Sequence, residues 1–217
     1  MKKNDGISKY KLQKIASESF RNTIRLHFDS ILLYKHESYP SAFQLAVLAL
    51  EEFSKATMVD HYIWSSEVNE GYPDAEFEQG FLKLLYLHSK KQWNFVARDV
   101  FEFSPKFVKQ IETKELDNKK QQATYVGLSR KKSKIDTESR VSTPWRVKEK
   151  DARQIISLIN HELVRICARI EEDEWYFEGG KNMDDVLDYK IYKKLLSWPH
   201  KTRLKGHDWY KRNLKRN

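Results

Sequence analysis

The side chains in this sequence best suited to acid–base chemistry fall on three apolar stretches. Residues 42–56 read AFQLAVLALEEFSKA, where the adjacent carboxylates Glu51 and Glu52 are followed one turn later by Lys55. In HSKKQWNF, His88 and Lys91 are three residues apart, which is one turn of a helix. Asn22 and Asp29, seven apart, share a face of any helix that holds them. A histidine and lysines beside carboxylates are the groups needed to activate a ribose 2′-hydroxyl and to stabilise a pentacoordinate phosphate without a metal. Spacing also admits two structural readings. Glu51 and Lys55 form an ordinary i,i+4 pair for a solvated edge, and a Glu/Lys/His set can fix helix register as a polar knot inside a bundle. A single histidine on a half-buried helix, such as His88, also serves structure alone.

The elements that must position these groups are helical. Ala42, Leu45, Ala46, Ala49, Phe53 and Ala56 form one stripe, and Val47, Leu48, Met58 and Val59 occupy the opposite side. A helix apolar almost all round is buried, and carboxylates on it are rare unless paired or used. Ahead of it, residues 8–35 carry Ala16, Phe20, Ile24, Phe28 and Ile31 at helical spacing, with Leu26 and Leu33 on a narrower second face. KHESYPS breaks the pattern and Pro40 opens the next helix, so the two form an αα-hairpin. A third helix is predicted over 75–102, with Phe77, Phe81, Leu84, Leu85 and His88 on one face, and a shorter fourth over 106–116. Residues 117–147 read as an irregular insertion. A long helix over 148–175 has Ala152, Ile155, Ile156, Ile159, Leu163, Ile166 and Ile170 in register, and 183–198 predicts one more. The expected fold is all-α, an antiparallel helical bundle of about five main helices over 1–178, followed by a helical, basic extension over 179–217.

With 7 Gly and 5 Pro in 217 residues, a turn-rich all-β protein is excluded. The net charge of +9 is uneven: from residue 201 to the end, seven Lys or Arg face the single Asp208. That asymmetry favours an anionic partner, and Lys201, Arg203, Lys205, Trp209, Lys211 and Arg212 are the candidate RNA-binding residues. The lone Cys167 sits in an apolar helical context and reads as core, consistent with a reducing compartment. The N-terminus lacks the apolar segment of a signal peptide, and the longest apolar run, 45–50, is too short to span a bilayer, so a cytoplasmic protein is expected, with no membrane partner. Neither GxxxxGK[ST] nor GxGxxG occurs, Glu-x-x-His pairs and Cys/His metal spacings are missing, and there is no GxSxG. No cofactor and no metal are therefore expected.

Asn-x6-Asp on the first helix, then YPSAFQLAVLALEEFSKA, HSKKQ and KKQQATYVGL in that order, resembles the AbiV abortive-infection family, part of the HEPN class of helical domains. The resemblance covers roughly residues 22–128, with weaker agreement through 148–175. It places family-type positions at Asn22, Asp29, Glu51, Glu52, Lys55, His88, Lys91, Tyr125 and Val126. The sequence departs from the family at Ser54, where Gly is usual, and at Gly127, where Asp is often found. The resemblance implies a phage-defence effector that cleaves RNA (rRNA, tRNA or mRNA) and blocks translation when a phage-encoded activator protein triggers it. A homodimer with a cleft built from both copies is implied as well. In that reading His88 is the acid or base, Lys55 and Lys91 neutralise the phosphate, and Glu51 or Glu52 orients them, with Asn22, Asp29 and Tyr125 in support. Arg21, Asn22 and His27 satisfy the HEPN formula of Arg, a polar residue and a nearby His, and form a second candidate set. The alternative is a non-catalytic helical protein that binds RNA, or a phage or host factor.

Overall fold

The computed structural model of the chain describes residues 6–69, 71–128, 130–131, 134–172 and 188–206. Helix α1, Lys9–Lys35, begins where the Ser8 hydroxyl accepts the Lys11 backbone N–H, and α2, Tyr39–Val68, has Pro40 in its first turn. Glu37, in the left-handed region at φ 59°, reverses the chain between them. The two helices bury the stripes that their periodicity defines, with Phe20 against Phe53 at 6.3 Å. Helix α7, Glu149–Glu172, closes the core against both, burying Ala152, Ile155, Ile156, Ile159, Leu163 and Ile166; Ile170 is outside the described side chains. Cys167 is in this core.

The predicted third helix is two. Helix α3, Ala75–Leu84, stops before an extended Leu87 (φ −92°, ψ 110°), and α4 runs His88–Ala97. Phe81 stacks on Tyr62 at 4.3 Å near the end of α2, while Phe95 meets Phe53 at 5.7 Å further back. Breaking the helix keeps α4 beside the middle of α2; a straight continuation would carry it past. The single apolar face expected for this stretch does not exist, since Phe77 is 60% exposed and His88 belongs to the next helix.

Helix α5, Pro105–Glu112, is capped by Ser104 and ends at Lys114, whose left-handed backbone (φ 60°) turns the chain into α6, Glu115–Gln122. The fourth helix is thus shorter than predicted, and the first residues assigned to an irregular insertion are helical. Leu116 and Lys120, four apart, give α6 its buried side, and its acidic start and basic end match the helix dipole. Beyond it come a Gly127–Ser142 bridge and a two-residue antiparallel ladder pairing Arg130 with Ile135 and Lys131 with Lys134. Helix α8, Tyr189–Leu196, starts at an Asp188 cap, and Leu195 and Leu204 pack into the common core. Residues 183–187 of the predicted last helix lie outside the described residues. The described residues contain eight α-helices in an all-α bundle, and none of these helices is long and apolar enough to cross a membrane.

Candidate functional site

Glu51 is fully buried on α2 and faces α4 and α6. Its Oε2 accepts the Nδ1–H of His88 at 2.5 Å; its Oε1 accepts Gln92 Nε2 and Lys120 Nζ, each at 2.7 Å. Lys120 is held from its other side by Asp117 at 3.0 Å. The neighbouring Glu52 takes Lys55 at 2.8 Å and the Asn22 amide at 3.3 Å, so the i,i+4 pair between Glu51 and Lys55 is not formed. Lys91 Nζ lies between the two carboxylates, 3.9 Å from each. Burial drives its pKa below the usual lysine value, although Glu51 and Glu52 pull the other way. On α1, Asn22 Oδ1 accepts Arg25, and Arg25 pairs with Asp29 at 3.0 Å. One polar network therefore runs across α1, α2, α4 and α6.

The structure brings together Asn22 and Asp29 of α1, Glu51, Glu52 and Lys55 of α2, and His88 and Lys91 of α4, three helices that meet through tertiary packing. His88 opens α4, and its side chain is 53% exposed. With Nδ1 turned to a buried carboxylate, Nε2 is the ring nitrogen left for a substrate, the position a general base would use. The side chain of Lys55 is half-buried against Glu52, whereas Lys91 and Lys120 are buried. Gln92 and Lys120 escaped the sequence reading. Gln92 is one turn after His88 in HSKKQ, and Lys120 is part of KKQQATYVGL, so both lie within the quoted motifs. Ser54, the departure from Gly, is buried and its hydroxyl accepts the Asn94 amide of α4 at 3.0 Å, helping to hold that helix. Among the described residues no set of three or more His, Cys, Asp or Glu side chains is grouped as a metal site needs.

Other candidates are placed elsewhere. Tyr125 is exposed beyond the end of α6 and is not drawn into the cluster. His27 is fully buried, its Nε2–H given to Asn160 Oδ1 at 2.9 Å, and lies roughly 120° around α1 from Arg21, so the Arg21/His27 pair does not assemble. Burial lowers its pKa to about 4 against a weaker upward pull from Asn160. In the tail, Lys201 and Arg203 are exposed, but Lys205 is a structural cation and not a surface phosphate contact. Its side chain is 0% exposed and pairs with Glu162 at 2.7 Å and Glu102 at 3.0 Å. Trp209, Lys211 and Arg212 lie outside the described residues.

Neither a curated protein nor a solved structure matches the chain. The HEPN family model described as AbiV matches residues 11–165, a span that contains every residue of the polar network. The chain belongs to the AbiV family of HEPN domains, and its role is in abortive-infection defence.

Proposed function

We propose that this protein is a metal-independent endoribonuclease, and that its phage-defence role is exerted by cutting RNA at the His88 cluster once a phage-encoded activator releases it. The observation that carries this reading is the His88–Glu51 pair: a half-exposed imidazole whose inner nitrogen donates to a fully buried carboxylate. His88 Nε2 takes the proton of a ribose 2′-hydroxyl, whose oxygen attacks the adjacent phosphorus. The bond to the 5′-oxygen then breaks, that oxygen is protonated from solvent, and a 2′,3′-cyclic phosphate remains. Lys55 faces the charge that builds on the phosphoryl oxygens, its ammonium held by Glu52, which in turn accepts the Asn22 amide. Lys91, Gln92 and Lys120 act as positioning residues for Glu51. Exposed Tyr86 and Leu87 directly precede His88, and a second copy seated there would complete a shared cleft.

A second reading has a specific observation in its favour. Glu51 has four polar partners on two helices, and Lys91 is nearly as buried, as in a knot that only fixes helix register. Lys55→Met and His88→Ala separate the two, because neither removes a fully buried charge. The ribonuclease reading predicts melting within about 1 kcal/mol of wild type together with loss of phage protection in each. Protection surviving in the folded variants would leave the cluster a structural one.

A further inference from the structure

A second basic site is built between α7 and the segment after α8. Lys150 and Arg153 of α7 and His200, Lys201 and Arg203 of the segment after α8 line a cleft of about 500 Å³. The two carboxylates that flank Lys150 in sequence are already engaged, Glu149 by the Tyr34 hydroxyl and by Arg153 at 3.1 Å, and Asp151 by Lys119 at 2.6 Å. Lys150, Lys201 and Arg203 are exposed and have no acidic partner at ion-pair distance among the described residues. These three cations repel one another across the cleft, and that repulsion is relieved by an anionic ligand.

The lining is held rigidly. Trp198 donates its indole N–H to Ser157 at 2.9 Å, and its ring lies 4.9 Å from that of His200, which also meets Tyr34 at 5.8 Å. Thr202, between the two exposed cations, is buried and donates to the Gln154 carbonyl at 3.2 Å. Lys205 pins the far end between Glu102 and Glu162. The backbone that presents Lys201 and Arg203 is therefore fixed on both sides, which lowers the ordering cost of binding.

We propose that this cleft binds a nucleoside di- or triphosphate, with Lys150, Arg153, Lys201 and Arg203 on the phosphates and the His200 ring beside the base. The volume is that of a small-molecule site. The lining comes only from the first half of α7 and residues 199–203, a span that suits a compact ligand better than an extended strand, and the proposal does not depend on ribonuclease activity.

The test is calorimetry on the full chain with ATP, GTP, inorganic phosphate and a short 2′-O-methylated RNA without terminal phosphate. Expected is one triphosphate per chain, bound about tenfold or more tighter than inorganic phosphate. Lys201→Glu with Arg203→Glu should weaken it by roughly tenfold or more, and His88→Ala should bind as wild type does. Melts are recorded for each variant, and the milder Arg203→Gln, expected to weaken binding in the same direction, is measured alongside. No triphosphate binding by the wild type, or binding indifferent to these substitutions, would overturn the proposal. Binding of the RNA alone, lost on the same charge reversal, would overturn it in favour of a strand contact.

Discussion

His27 is held as a neutral imidazole by its surroundings. Asn160 gives its own amide to the Leu195 carbonyl at 3.0 Å, which leaves Oδ1 to accept from His27 Nε2–H, and His27 Nδ1 is buried with no hydrogen-bond partner. Protonation would place a second N–H where no acceptor waits. The unfolded chain takes up this proton near 6.5, whereas the folded one resists to about 4. The stability contributed by neutral His27 is therefore complete above 6.5 and is lost as the pH falls from 6.5 toward 4, by up to about 3 kcal/mol. Urea titrations across that range should show the loss, and His27→Gln should flatten it, with a shallower residue from His161, which burial also lowers. An unchanged slope in His27→Gln would contradict the assignment. At this scale much of the cluster was legible in the sequence, because two carboxylates on an apolar helix demand partners. Which partners was not legible. Glu51 does not pair with Lys55 and takes Gln92 and Lys120, 41 and 69 residues on, a choice made by the packing of α4 and α6 and not by local spacing.

At the scale of elements, α1, α2 and α7 were readable because each sustains apolar residues at helical spacing over many turns, whereas the break before His88 was not. LYLHS has no proline or glycine to announce a stop, and the stop arises because α4 must stay beside Glu51 and Phe53. Helix α6 was hidden for a similar reason: its buried side includes a lysine, which hydropathy reads as surface. The segment after α8 repeats the theme. Gly206 donates its N–H to the Glu102 carbonyl at 2.7 Å and packs closely enough on Phe101 and Phe103 that a Cβ would lie 3.2 Å from a backbone oxygen. Burial alone would raise the pKa of Glu162, but Lys205 and Arg165 outweigh it and hold the carboxyl below its usual value. Lys205→Met should cost roughly 3–5 kcal/mol and hasten chymotryptic cutting near Trp198, and adding Glu162→Gln should restore part of the loss. Wild-type stability in Lys205→Met would show that the buried pair does not hold the segment.

At the scale of the whole molecule, the bundle sets two polar regions apart. The His88 cluster spans α1, α2, α4 and α6, whereas the basic cleft lies between α7 and the chain after α8. The net charge of +9 is therefore not simply a basic tail, since part of it, Lys205, is internal and part lines the cleft. Exposed Tyr86, Leu87 and Trp93 lie beside or along the His88 helix, where a second copy would find an apolar footing in the proposed dimer. Light scattering should give twice the 25.9 kDa chain mass, and a monomer would remove the shared cleft from the account. The central claim is that His88 is the base of an RNA-cleaving site. It is tested most directly by incubating purified wild-type and His88→Ala protein with RNA and phage lysate and reading the fragment ends. The account predicts 2′,3′-cyclic phosphate ends from the wild type, and a rate lower by about 10²-fold or more in a folded His88→Ala. Wild-type cleavage by folded His88→Ala, or no cleavage by the wild type under activation, would contradict it.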